Sequence, residues 1–155
     1  MKIRNGRPSD LEAFFEMWWQ SSIEHINYNV LDRTKEKDVV KKKVIEAQRK
    51  CMKKKGNIFL IAEMDNGDVI GVATGHVGGR DEPVFIIDKE GFVDEIYVLE
   101  KYRGMGIGKK LLDELIQRLR VQGAPFIGLA VAVQNPAIGF YQKQGFIVKS
   151  HWMVK

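Results

Sequence analysis

Cysteine is nearly absent. Cys51 is the single one among 155 residues, which excludes an internal disulfide, and neither it nor the three histidines fall at metal-ligand spacing. Long apolar runs are missing as well. The longest, around Phe126 to Val133, is far short of the ~20 residues that cross a bilayer, so no membrane helix is expected. The start carries Lys2 and Arg4 but no apolar export segment, because Glu12 and Glu16 interrupt Leu11 to Trp19. Together these absences imply a cytoplasmic protein with no metal and no membrane partner. Linkers, repeats and low-complexity stretches are lacking too, so residues 1–155 read as one domain.

What is present is the composition of a globular chain, 45% hydrophobic and 29% charged. The net charge of +5 is uneven. From Arg33 to Lys55 there are 11 Lys or Arg against 3 Asp or Glu, so the remainder is net acidic. In that segment Val40, Val44, Ala47 and Cys51 recur at helical spacing, with a start signal at Asp32 or Thr34 and a stop at Gly56. It predicts one amphipathic helix with a basic outer face. It has no interleaved aromatics and no groove-binding motif, so no specific nucleic-acid partner is expected.

The remaining elements follow from pattern. Lys2 to Arg7 reads as a strand, and Pro8-Ser9-Asp10 opens a helix to about Ile23 with Ser9 as its cap. Glu24 to Leu31 reads as a loop. Ile58 to Met64 and Val69 to Val77 flank Asp65-Asn66-Gly67-Asp68, a hairpin signal. A polar loop around Val84 to Ile87 leads to a strand over Gly91 to Val98. Gly108 to Val121 predicts a helix with Leu111, Leu115 and Leu119 in register. Phe126 to Val133 predicts a strand buried on both faces. A short helix from Pro136 to Gln144 and a last strand from Phe146 to Val154 complete the order βααβββαβαβ. This is an α/β fold, a mixed sheet with helices on both faces.

Chemistry concentrates in Tyr102-Arg103-Gly104-Met105-Gly106-Ile107-Gly108-Lys109-Lys110. Three glycines at alternate positions, between a strand and a helix, expose backbone N–H groups at the positive end of a helix dipole, a setting suited to phosphate oxygens. Two well-known phosphate loops fail on spacing: Lys109 stands where a dinucleotide fingerprint needs its third glycine, and Lys110 where a P-loop needs Ser or Thr.

Arg103, Gly106 and Gly108 do form R-x-x-G-x-G, which resembles the coenzyme A loop of the GNAT family of N-acetyltransferases. Downstream, Asn135-Pro136-Ala137-Ile138-Gly139-Phe140-Tyr141-Gln142-Lys143-Gln144-Gly145-Phe146 is similar to a second segment of that family. The resemblance implies a sheet splayed at its centre between the strands at Gly91 and Phe126, with acetyl-CoA as cosubstrate in the gap. It implies that Ile96, Tyr97 and Val98 flank the pantetheine, that Arg103, Gly104, Met105, Gly106, Ile107, Gly108 and Lys109 surround the pyrophosphate, that Asn135 lies near the pantetheine amide, and that Tyr141 approaches the thiol. Relatives often carry a further hairpin partner beyond the last strand, which leaves the acceptor side and a homodimer open.

Acetyl transfer to an amine of pKa about 10.4 needs a base or a water relay. Glu95 is the first candidate; alternation puts it on one face with Tyr97, opposite Asp94 and Ile96. Asp94, Glu24 and a water chain are its competitors. Tyr141 is the candidate acid for the leaving thiolate, the role the resemblance attaches to it. Glu24, His25 and Tyr28 fall where relatives bind the acceptor. The expected activity is N-acetylation of a primary amine by direct attack, with a small molecule as acceptor. A protein N-terminus or lysine is the alternative acceptor, and a non-catalytic acyl-CoA sensor the alternative class.

Overall fold

Alternation along the second and third strands decides the layering. The computed structural model describes residues 1–28, 35–79 and 89–150. In β2 (Asn57–Glu63), Ile58, Leu60 and Ala62 join one hydrophobic cluster, while Phe59 and Ile61 join another on the opposite face. A strand with both faces apolar must be covered twice, and each face has its helix. On one side α3 (Ile107–Val121) buries Ile107, Leu111, Leu112, Leu115 and Leu119. Each such side chain contributes about 1.5–3 kcal/mol relative to exposure. On the other side α1 (Leu11–Ile26) buries Leu11, Phe14, Phe15 and Met17.

The sheet runs in the order β1 (Lys2–Asn5), β2, β3 (Val69–Gly79), β4 (Lys89–Val98), β5 (Ile127–Gly128). The first four are antiparallel in sequence, and β5 pairs parallel with β4. The mixed sheet with helices on both faces is the architecture expected from the element order. The β2–β3 turn forms where Asn66 and Gly67 place it, with the Asn66 side chain accepting from the Asp68 N–H.

Several expectations change in detail. Ser9 is not the cap of α1: Pro8–Asp10 form a 3₁₀ turn, and buried Asp10 accepts from the Arg7 N–H at 2.6 Å and from both terminal guanidinium nitrogens of Arg4. The helix then runs on to Ile26, so Glu24 and His25 sit in its last turn rather than in a loop. The basic helix α2 is Lys37–Cys51; the start signals at Asp32 and Thr34 lie outside the described residues, as does the stretch at Val84 to Ile87. Ala47 is exposed, and α2 packs through Val44 and Ile45 instead, with no fully buried residue. Lys37 and Lys41 pair with Glu16 and Glu12 on the outer side of α1.

The strand expected over Phe126 to Val133 is ordered into the sheet only at Ile127 and Gly128, and Phe126 and Val133 are exposed, at 57% and 80%. Gly91 permits that short union: a Cβ there would lie 2.6 Å from Ile127 and 3.2 Å from Leu119. Beyond it the pairing of β4 with β5 stops, and a run with no ladder partner cannot be held as a strand. Residues 146–150 likewise form no strand, and the rest of that predicted element lies outside the described residues. Among the described residues, no helix is long and apolar enough to cross a membrane.

Candidate active site

A bulge in β4 fixes what faces what. Thr74 opposes Glu95 and Gly75 opposes Val93, so Asp94 is the extra residue. Val93 therefore turns toward α3, while Glu95 and Tyr97 both turn toward α1, as alternation from Tyr97 predicts. Asp94 departs from that alternation: it lines the same cavity as Glu95 instead of the opposite face. Its carboxylate is held by His76 Nδ1 at 2.9 Å.

Glu95 is partly buried under α1 and accepts a hydrogen bond from the Ser21 hydroxyl at 2.8 Å. Loss of hydration pushes its carboxyl up to about 7, against the opposing pull of the Ser21 hydrogen bond, and the Asp94 charge adds to the rise. One helical turn on from Ser21, His25 Nδ1 stands 3.4 Å from the same hydroxyl. Ser21 is 4% exposed. Sequence reasoning missed it, although a serine in line with Leu11, Phe14 and Met17 on the apolar face of α1 was a legible signal.

Glu24 is also brought to β4, in another role. It accepts from the Tyr97 hydroxyl at 2.9 Å and from Arg103 Nη2 at 2.8 Å, and Arg103 Nε donates to the Val98 carbonyl at 3.0 Å. The Arg103 guanidinium lies over the Tyr97 ring, 5.0 Å from its centre. Burial and the Glu24 contact push the Tyr97 hydroxyl up to about 12. Arg103 thus ties the loop back to α1, and its side chain does not lie over the glycines. Lys109 is likewise engaged, on Asp113 one turn along α3. Tyr28 lies in the turn after α1, its N–H on the His25 carbonyl, apart from these contacts.

The loop itself fits a diphosphate. Gly104 and Gly106 have φ of +80° and +77°, and a Cβ on either would meet nothing within 4 Å, so the space above the loop is open. Gly106 is the N-cap of α3, and the helix leaves the amides of Ile107, Gly108 and Lys109 directed outward without intrahelical acceptors. The Ile107 side chain is buried and anchors that end, whereas Met105 is 66% exposed. The open edge of β4 offers more donors. Leu99 N–H points to Ile70 in β3, so by alternation the Ile96 and Val98 amides face the gap toward β5.

Across that gap, α4 (Ala137–Lys143) carries Tyr141. Asn135, nearly buried, caps this helix by accepting from the Ala137 N–H at 2.8 Å. Tyr141 is wedged edge-on between Phe140 and Phe146. Burial, with the Glu95 charge nearby, pushes its hydroxyl up to about 12. Glu95, its carboxyl pushed up to about 7, thus lies on the α1 side of β4, and Tyr141, its hydroxyl pushed up to about 12, packs with the cluster on the α3 side.

Comparison with known proteins gives the family and the fold. The family model described as "Acetyltransferase (GNAT) family" matches residues 12–146. The chain belongs to that family, as the two motifs implied. It is 38% identical over 95 residues to an N-alpha-acetyltransferase of Sulfurisphaera tokodaii, covering 57% of this chain and 55% of that one. It is 30% identical over 148 residues to an uncharacterized N-acetyltransferase of Methanocaldococcus jannaschii, covering 93% and 59%. The chain thus spans somewhat over half the length of these two relatives. In structure it is similar to a Bacillus halodurans protein solved as a tetramutant, with a TM-score of 0.88, 18% identity and coverage of 100% and 99%, a likeness of fold.

Proposed function

We propose that this protein transfers an acetyl group from acetyl-CoA to the nitrogen of a small primary amine, with Glu95 as base and Tyr141 as acid. The observation that carries the reading is that β4 pairs with β5 over only two residues, beside a glycine-lined helix N-terminus whose first three amides have no intrahelical acceptor. The Gly104 to Lys109 backbone would hold the diphosphate, and the open-edge groups of Ile96 and Val98 the pantetheine. When bound, acetyl-CoA supplies an acyl group already activated as a thioester, so that forming the amide C–N bond is matched by cleaving C–S.

Two protons leave the amine nitrogen per turnover, one ending on the thiol and one in solvent. Glu95, titrating near 7, is matched to taking the first from an ammonium at neutral pH. The Ser21 hydroxyl orients its carboxylate, and His25 continues that contact toward the surface. Tyr141 stays protonated and can donate to the developing negative charge on sulfur. The outward amides of β4 are placed to stabilise charge on the carbonyl oxygen.

The test is thiol release from acetyl-CoA across a panel of amines and peptides. Amine-dependent release that falls by about 10²-fold or more in Glu95→Gln supports the reading, since general-base help is typically worth ~10²–10⁴. Acyl-CoA binding without release under any amine would leave a sensor. A second acceptor, a peptide amino terminus, is favoured by the name of the Sulfurisphaera relative, and peptides are in the panel for that reason.

A further inference from the structure

Between α1, α2 and the face of the sheet lies a cavity of about 280 Å³ that ends on Glu95. Its floor is the cross-strand row Phe59, Thr74 and Glu95. Phe14 and Trp18, one turn apart on α1, form one wall, and α2 with its C-terminal cap supplies Gln48, Cys51 and Met52. The basic helix gives the cavity none of its lysines or arginines. Among the described lining residues the charged groups are Asp94 and Glu95.

This arrangement separates the charge of α2 from the charge that an acceptor meets. Among the described lining residues, an ammonium entering the cavity meets the Asp94 and Glu95 carboxylates, the former joined to His76, and no lysine or arginine, while the carbon attached to it lies among aromatic rings and the Met52 thioether. We infer that the acceptor is a primary amine carried on a compact apolar body, aryl or alkyl, seated between Phe14, Trp18 and Met52 with its nitrogen at Glu95. The inference rests on the transferase reading for its consequence but on the cavity for its chemistry. Polyamines and amino sugars fit it poorly: their further ammonium or hydroxyl groups would be stripped of water against apolar walls without partners. The same chemistry can come from a free arylalkylamine or from the first residue of a peptide that begins with an apolar side chain.

The experiment measures both binding and turnover on the intact chain. With protein saturated in CoA, calorimetry follows 2-phenylethylamine, hexylamine, spermidine, glucosamine, and peptides beginning Met-Leu or Ser-Glu. Thiol release from acetyl-CoA is measured for the same six. The expected result is saturable binding and the highest kcat/KM for 2-phenylethylamine, hexylamine or the Met-Leu peptide, the ranking among them identifying the source. Gln48→Lys places a cation on the lining at a half-buried helix position with little risk to folding. It should raise the KM and Kd of those amines by about fivefold or more, and Gln48→Glu should lower them. Trp18→Ala should weaken 2-phenylethylamine more than glucosamine.

Spermidine or glucosamine turned over best, or amine affinity indifferent to both Gln48 charges, overturns the inference and leaves the transferase reading standing. Saturable, Gln48-sensitive amine binding without any thiol release upholds the cavity assignment and overturns transfer. Neither binding nor release for any of the six overturns both.

Discussion

The Ser21 hydroxyl donates to Glu95 Oε1 at 2.8 Å, joining the third turn of α1 to the bulge of β4. That bond favours the charged carboxylate, while its surroundings favour the neutral acid, and the balance leaves Glu95 titrating at about 7. The pH dependence of both activity and stability follows from this pair.

Glu95→Gln should cost about 10²-fold or more in kcat yet stabilise the fold in alkaline solution. A carboxyl raised to about 7 in the folded state contributes its stability fully below the ordinary glutamate range, and that stability is lost as pH rises through 7. Glutamine cannot ionise, so the variant escapes the loss. Urea unfolding should show it more stable than the parent by ~1–3 kcal/mol at pH 8 and near parity at pH 4.5. A difference independent of pH would mean that Glu95 is not held near neutrality.

In the parent, kcat/KM should rise with pH along an acidic limb centred near 7. Ser21→Ala removes the hydrogen bond that favours the charged form and should move this limb upward by about one pH unit. Such bonds to charged groups are worth ~1.5–3 kcal/mol, and water replaces part of that. Ser21→Thr, which keeps the hydroxyl, should restore the limb. A fall in kcat with the limb unmoved would reduce Ser21 to packing.

Tyr141→Phe keeps the ring between Phe140 and Phe146 and deletes the donor. An interaction made chiefly in the transition state appears in kcat and not in binding. The expected result is a drop in kcat of roughly 10- to 1,000-fold with acetyl-CoA affinity little changed. Full kcat with chemistry rate-limiting would assign the proton to water and leave Tyr141 as a wall.

Gly106→Val should be costly twice over. Its φ of +77° is disfavoured for a residue with a Cβ by ~1–2 kcal/mol, so the thermal midpoint should fall by a few degrees. The side chain would also fill the open space above the loop, and acetyl-CoA affinity should fall at least tenfold, ~1.4 kcal/mol. Calorimetry that finds unchanged affinity in a folded variant would remove the loop from the diphosphate site.

Arg103→Ala is expected to behave differently, because its guanidinium rests on Glu24 and the Val98 carbonyl. Half-exposed ion pairs of this kind contribute ~0.2–1 kcal/mol, so affinity should change by no more than about fivefold. A loss comparable to that of Gly106→Val would show that the side chain turns to the diphosphate on binding.

Local rules carried much of this protein. The 3.6-residue spacing of Leu111, Leu115 and Leu119 determined α3, Asn66-Gly67 determined the β2–β3 turn, and the alternate glycines of 104–108 determined a helix N-terminus open to an anion. Each needs only the chain within a turn or two of itself, and so does the Asn135 cap. The family was legible for the same reason, since both motifs are contiguous.

Long-range geometry decided the rest. The bulge at Asp94 exists only because β3 pairs with β4, and it turns Asp94 to the cavity against the alternation of its own strand. Ser21 meets Glu95 across 74 positions, a contact that no periodicity encodes. Phe126 to Val133 has the composition of a buried strand, but a ladder needs a partner, and beyond Gly128 the pairing with β4 stops. The direction of the α2 lysines, away from the cavity that ends on Glu95, was settled in the same way: helical spacing makes two faces, and only packing against α1 chooses which of them looks inward.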